Sequence, residues 1–144
     1  MNSCYLKALK LLALAEHSRK GLEQKLIKRG FLPEVVKETL NLLEKEGSLN
    51  EERFAEEWIR SRLRKRPIGK NLLIRELEKR GIEEELAIKV VGKATDWPEY
   101  KQGLKRVWEA IQARGELERE KISRYLHQKG YSLYEIRMLF EEFD

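Results

Sequence analysis

The sequence predicts an all-α protein made of three tandem three-helix repeats that form an elongated helical array. Two observations carry this prediction. The first is a helix-end pattern used three times, at residues 26–31, 77–82 and 126–131, whose glycines lie 51 and 49 residues apart in a chain of 144. The second is that no stretch of four or more residues alternates apolar and polar side chains in the manner of a strand.

Each copy of the pattern has the chemistry of a helix end. Gly30, Gly81 and Gly130 follow basic residues, and glycine adopts the left-handed conformation of a helix C-cap without the steric penalty of a Cβ atom. The leucine four residues before each glycine and the apolar residue after it occupy the two positions that touch in a Schellman cap. Three such caps at a nearly constant interval indicate a repeat.

The first repeat is predicted to span residues 1–49. Residues Leu6 to Glu16 are apolar over most of a helical circumference, which favours a helix packed on more than one side. Ser18 is a suitable N-cap for the second helix, which Gly30 ends. Pro33 fits the first turn of a third helix, and Gly47 can close it.

The second repeat is predicted to span residues 50–96. Asn50 is a suitable N-cap, and the helix that follows should stop near Arg66, because Pro67 disfavours helix for the residue before it. The next helix ends at Gly81. The apolar pair Leu86 and Val90 then predicts a third helix.

The third repeat is predicted to span residues 97–144. Pro98 opens its first helix and Gly115 stops it, while Gly130 ends the second. Ile136 and Phe140 occupy the same places in the third helix as Val36 and Leu40 in the first repeat.

The period limits the repeat families that fit. Tetratricopeptide and ankyrin units, at about 34 and 33 residues, are too short, whereas HEAT and armadillo units reach about 47 residues. An α-solenoid therefore fits on length alone.

Composition argues against catalysis. The chain has one cysteine and two histidines, so it can form no intrachain disulfide and no zinc site of cysteine and histidine. It has neither a glycine-rich phosphate loop nor an apolar run of about 20 residues. We therefore expect no catalytic residue, metal, cofactor or membrane span, and a cytoplasmic location. Trp58 and Trp108 lie on apolar stripes and are expected in the core.

The charge distribution is strongly uneven. Residues 60–80 hold nine bases against two acids, a net charge of +7, whereas residues 44–57 hold six acids against two bases. Such a run is either an exposed helix end or a surface for phosphates or an acidic protein partner. The predicted binding residues are Arg60, Arg62, Arg64, Lys65, Arg66, Lys70, Arg75, Lys79 and Arg80.

Several of these segments resemble the regulatory protein RecX family. The residues are Ala15 to Arg19 with Lys28 to Phe31, then Glu52 to Ala55, and then Lys79 to Ile82. The resemblance covers roughly residues 5–92. It implies tandem three-helix units and a non-catalytic modulator of the RecA recombinase that engages the RecA–DNA filament and generally suppresses strand exchange and ATP hydrolysis. It also implies weak binding to single-stranded or double-stranded DNA. Apart from the resemblance, we expect a monomer.

Two other classes remain open from the residues themselves. One is a helical DNA-binding protein that acts without a recombinase, with tight and steeply salt-dependent DNA affinity. The other is a protein-binding solenoid that ignores DNA.

Overall fold

The computed structural model describes residues 2–143, and in that range the chain forms nine α-helices and no strand. Consecutive helices form three units of three, which we call unit 1, unit 2 and unit 3. Unit 1 is α1 (Ser3–Leu14), α2 (Arg19–Lys28) and α3 (Pro33–Glu46); unit 2 is α4 (Glu51–Lys65), α5 (Lys70–Lys79) and α6 (Glu84–Ala94); unit 3 is α7 (Pro98–Ala113), α8 (Arg119–Gln128) and α9 (Leu133–Phe143).

The three glycine caps are confirmed. Gly30, Gly81 and Gly130 have φ values of 93°, 92° and 98°. In each cap, the amide after the glycine donates to the carbonyl of the leucine five residues earlier, at 3.3, 3.0 and 3.1 Å, as a Schellman cap requires. All three middle helices are ten residues long, so equivalent positions can be compared between units.

The predicted helix starts are confirmed except for α1. Ser18 and Asn50 accept backbone N–H groups as N-caps, and Pro33 and Pro98 occupy the first turns of α3 and α7. Helix α1 begins three residues earlier than predicted, because the Asn2 side chain accepts the Tyr5 N–H and caps it there.

The apolar core divides unequally. The buried residues of unit 1, from Cys4 to Leu49, form a cluster of their own. Those of units 2 and 3, from Ala55 to Phe140, form one continuous cluster. Trp108 lies in it, as predicted, but the prediction for Trp58 was wrong: that side chain is half-buried at the surface, where its indole N–H reaches a carboxylate.

The array is elongated. Its accessible surface is 9446 Å², whereas a compact monomer of 17.1 kDa would expose about 7,800 Å². No helix between residues 2 and 143 combines the length and the apolar character needed to cross a bilayer.

Candidate nucleic-acid or partner interface

A basic groove lies between α4 and α5. Trp58, Arg62 and Lys65 follow one another at i, i+4 and i+7 and so share one face of α4. Glu76, Lys79 and Arg80 face them from the end of α5 and its cap. These six side chains line a cavity of about 350 Å³, which we call the basic groove.

Glu76 fixes the middle of the groove. Its carboxylate accepts two hydrogen bonds from the Arg62 guanidinium, at 2.7 and 2.8 Å, and a third from the Trp58 Nε1–H at 3.1 Å. The Arg62 hydrogen bonds hold the pKa of Glu76 below its usual range. Arg62 is therefore engaged within the protein, and it positions the groove rather than offering a free cation.

The remaining cations of the groove are open to solvent. The Arg80 guanidinium lies 4.2 Å from the centre of the Trp58 ring, a cation–π contact that holds it over the indole face. Lys65 and Lys79 are exposed, and within residues 2–143 their ammonium groups make no hydrogen bond or ion pair. The groove thus offers two flexible ammonium groups and one oriented guanidinium, which suits phosphate or carboxylate oxygens.

A second cavity of about 400 Å³, the inter-unit cleft, separates unit 1 from unit 2. Lys79 and Arg80 line both cavities, so the basic groove and the cleft form one cationic surface. Unit 1 adds Lys20 and Lys25 to it, and Phe54 lies on the opposite wall. The ring centres of Phe54 and Trp58 are 6.2 Å apart, so an aromatic pair lies between the two cavities.

His17 closes one side of the cleft and is buried. Its Nδ1 lies 2.8 Å from the Ala15 carbonyl oxygen, and its Nε2 lies 2.8 Å from the Lys25 ammonium nitrogen. An ammonium group can only donate, so the neutral imidazole donates from Nδ1 and accepts at Nε2. Burial, together with the nearby Lys25 charge, lowers the pKa of His17.

The structure brings together four of the nine predicted binding residues, Arg62, Lys65, Lys79 and Arg80. Arg60 turns toward unit 3, with its guanidinium 4.2 Å from the centre of the Trp97 ring. Lys70 starts α5 at the border with unit 3, where its N–H donates to the Tyr100 hydroxyl at 3.0 Å.

The other three predicted residues lie outside the groove. Arg64 is exposed and contacts Glu57 at 3.3 Å. Arg66 caps the end of α4, and the Arg75 guanidinium folds back toward the carbonyl of its own helix at Asn71.

Sequence analysis missed Lys20, Lys25, Phe54 and Trp58. Lys20 and Lys25 lie outside the basic run, and only the array brings the first turn of α2 against the Gly81 cap. A Cβ atom built on Gly81 would lie 2.7 Å from Lys20 Cβ. No local signal in the sequence marks this contact, because it depends on how consecutive units pack against each other.

Among residues 2–143, no group of three or more histidine, cysteine or acidic side chains is placed to hold a metal ion. Within the described residues, the predicted cations converge in the basic groove, which offers hydrogen-bond donors and positive charge. Such donors can form charge-assisted hydrogen bonds with an anion.

The fold and this surface define a class of protein, a tandem array of three-helix units that carries a cationic groove. Two family models match the chain: RecX, first three-helix domain, over residues 4–43, and RecX, second three-helix domain, over residues 50–90. A regulatory protein RecX of Chlorobium limicola is 35% identical over 127 residues, 86% of this chain and 79% of that protein.

A second relative, the regulatory protein RecX of Pseudomonas fluorescens, is 35% identical over 133 residues, 88% of this chain and 82% of that protein. The crystal structure of RecX from Lactobacillus salivarius has the same fold, with a TM-score of 0.84 at 24% identity over 98% of this chain and 94% of that one. This chain belongs to the RecX family of regulatory proteins.

Proposed function

We propose that this protein is a non-catalytic regulator that binds the filament of a RecA recombinase on DNA through the basic groove and lowers its strand-exchange and ATPase activity. The recombinase and the direction of the effect come from the family resemblance. The groove is the single observation that supports the mode of binding. Its cations converge from two helices, and Glu76 holds the Arg62 side chain in place between them.

A nucleoprotein filament presents two kinds of acceptor at once. The DNA phosphates and the acidic side chains of a recombinase both accept charge-assisted hydrogen bonds from lysine and arginine. Lys65 and Lys79 extend into solvent from different helices, so they can contact either kind of acceptor without disturbing the Arg62–Glu76 pair. The filament presents both kinds of acceptor, whereas DNA alone presents only phosphates. We therefore expect weak binding to DNA alone and tighter binding to the filament.

The test is a double charge reversal, Lys65→Glu with Lys79→Glu. Both side chains are exposed and have no ion pair among residues 2–143, so the variant should keep its helical content and unfolding midpoint. We expect weaker filament binding and relief of ATPase inhibition, because two cations that could contact phosphates or carboxylates are replaced by acids. Each phosphate contact that is lost should also reduce the log–log salt slope on single-stranded DNA by about 0.7. Arg62 is left intact, since its reversal would place two carboxylates against each other.

The matched control is Lys101→Glu with Lys105→Glu, two exposed lysines one turn apart on α7. A pull-down with RecA, with and without single-stranded DNA and nucleotide, distinguishes the alternatives. Capture that needs RecA on DNA supports the proposal. Tight capture by DNA alone would indicate a plain DNA-binding protein, and RecA capture that ignores DNA and nucleotide would indicate a protein-binding solenoid. Equal inhibition by the groove variant and the wild type would exclude the groove as the binding site.

A further inference from the structure

A third cavity, of about 280 Å³, lies in unit 1 between α1 and α3, and we call it the α1–α3 cavity. It is lined from the start of α1 by Asn2 and Tyr5, and from α3 by Glu38, Thr39, Leu42 and Glu46. None of these six residues lines the basic groove or the inter-unit cleft. The α1–α3 cavity is therefore separate from the surface proposed to bind the filament.

Charge distinguishes the α1–α3 cavity from the two cationic cavities. Its lining contains two carboxylates, Glu38 and Glu46, and no lysine or arginine; Lys37 and Lys45, their neighbours in sequence, do not line it. Glu38 is exposed and makes no hydrogen bond or ion pair with another described residue. Glu46 accepts the Tyr5 hydroxyl at its Oε2, at 2.7 Å, which leaves its Oε1 for another donor. The cavity therefore offers acceptors to a cation.

The two carboxylates are spaced for a ligand that carries two positive charges. Glu38, Leu42 and Glu46 follow one another at i, i+4 and i+8, so they form one stripe along α3. The helical rise places the two glutamate Cα atoms about 12 Å apart. Leu42 lies between them and is 45% exposed, so it provides an apolar surface. An aliphatic chain with an ammonium group at each end matches this order of charge, apolar surface and charge.

A buried hydroxyl in the lining is a second, independent sign of a ligand. Thr39 is 3% exposed, and within residues 2–143 its hydroxyl has no hydrogen-bond partner, not even the Val35 carbonyl one turn earlier. Nine residues after their own cap glycines, units 2 and 3 have the buried apolar residues Val90 and Leu139 instead. Threonine populates two χ1 rotamers in a helix, so its hydroxyl can turn to a donor that enters the cavity.

We infer that the α1–α3 cavity binds an aliphatic diamine or polyamine. One ammonium group donates to Glu46 Oε1, and the other donates to the Glu38 carboxylate and to the neighbouring Thr39 hydroxyl. The methylene chain between them lies over Leu42 and covers its exposed surface. A lysine side chain from another protein carries a single ammonium group and satisfies only one end of the stripe, so the ligand is a free diamine.

The test follows the backbone amides by NMR while putrescine is added to the protein. We expect saturable chemical-shift changes confined to the start of α1 and to residues 38–46. Glu38→Gln with Glu46→Gln should weaken binding by at least about tenfold, because both charges are lost while the Tyr5 hydroxyl keeps an acceptor. Thr39→Val gives unit 1 the residue that unit 2 has at Val90. It should raise the unfolding midpoint and weaken binding by about tenfold, because the buried hydroxyl is removed.

The matched control is Glu84→Gln with Glu85→Gln, two exposed acids on α6 that lie outside the cavity. It removes the same charge and should bind putrescine as the wild type does. Butylamine and Nα-acetyl-lysine amide, with one ammonium group each, should bind about tenfold more weakly than putrescine.

Three results would overturn the inference: shifts that do not saturate, equal weakening by the control pair and the cavity pair, or tighter binding of the lysine derivative than of putrescine. The last result would assign the cavity to a lysine of a partner protein. Neither DNA nor a recombinase is present in these measurements, so their outcome is independent of the proposed function.

Discussion

Both junctions between units contain the same kind of glycine cap, but the contacts that complete them differ. Between units 2 and 3, the backbone itself is bonded across the border. Gly69 donates its N–H to the Lys129 carbonyl at 2.8 Å, and Asn71 donates to the Gly130 carbonyl at 2.9 Å. The approach is so close that a Cβ atom on Gly69 would lie 2.2 Å from the backbone of Gly130. Glycine at both positions makes this border possible.

A buried side-chain network completes the same border. Tyr100 is 2% exposed; its hydroxyl accepts the Lys70 N–H and donates to Glu135 at 2.6 Å. The other Glu135 oxygen accepts the Ser132 N–H, and the Ser132 hydroxyl accepts the Glu135 N–H, so a capping box at the start of α9 holds the carboxylate. The junction of units 2 and 3 is therefore part of one core.

Between units 1 and 2, polar side chains replace these contacts. The Arg19 backbone N–H donates to Glu51 across the border, and Arg53 pairs with Glu16 at 3.1 Å. These side chains are partly exposed, and such ion pairs contribute about 0–1 kcal/mol each. The cleft stays open and cationic. Close packing thus joins units 2 and 3 in one core, while the looser border leaves a solvent-open cleft lined by cations.

The largest expected effect comes from placing alanine at the three caps, which share a backbone conformation and differ only in surroundings. Left-handed strain alone should cost about 1 kcal/mol at Gly30→Ala. Gly81→Ala should cost about 2 kcal/mol, because the added Cβ would lie 2.7 Å from Lys20 Cβ, which the backbone of α2 holds in place. Gly130→Ala should cost about 3 kcal/mol or more, because its Cβ meets the Leu72 backbone. Denaturant unfolding measures all three.

The control for that series is Gly92→Ala, in the interior of α6 where nothing lies within 4 Å of the added Cβ. It should stabilise the protein by up to about 1 kcal/mol. Three equal losses at the caps would mean that the junctions do not differ in how closely they pack.

The next effect tests the buried network. Tyr100→Phe keeps the ring but leaves the Lys70 N–H and the Glu135 carboxylate without their shared partner, at a cost of about 2 kcal/mol in unfolding free energy. Tyr5→Phe is the matched control, because the Tyr5 hydroxyl makes one hydrogen bond, to Glu46 at 2.7 Å within unit 1. It should cost about 1 kcal/mol. A smaller loss at Tyr100 than at Tyr5 would contradict a structural role for the network.

Most of the fold could be predicted from the sequence because its signals are local. A glycine that follows basic residues and precedes an apolar one specifies a cap within six residues. Proline and asparagine mark helix starts in the same way. Trp58 shows the limit of this reasoning: helical spacing placed it on an apolar stripe, but the stripe does not reveal that Glu76 lies beside its indole N–H.

The candidate site was less predictable because it depends on contacts between helices. Counting charge along the chain identified Lys65 and Lys79 but could not distinguish them from Arg64 or Arg75, which lie outside the groove. Nor could it add Lys20, which the array brings to Arg80 across the cleft. Side chains that act together here lie on different helices, and no local pattern relates them.

The smallest expected effect is a dependence of the folded protein's stability on pH, and it arises at the looser junction, between units 1 and 2. His17 is neutral in the folded protein and its pKa is lowered there, mainly by burial and also by the Lys25 charge, while the Glu16 charge and the Ala15 carbonyl oppose this. In the unfolded chain, histidine takes up a proton near pH 6.5. As the pH falls through that value, the unfolded state binds the proton first, so His17 makes the folded protein progressively less stable. His17→Asn can retain the hydrogen bond to Ala15 and does not titrate.

We therefore expect the wild type to lose more stability than His17→Asn between about pH 7.5 and pH 5.5, as measured by urea unfolding at each pH. His127 and the carboxylates are common to both proteins and cancel in the difference. Parallel stability curves would show that His17 is protonated equally in the folded and unfolded states, and the cleft would then not exclude water from the imidazole. The corresponding position at the closer junction is Ile68, which carries no titratable group. The acid sensitivity due to His17 therefore belongs to the border of units 1 and 2.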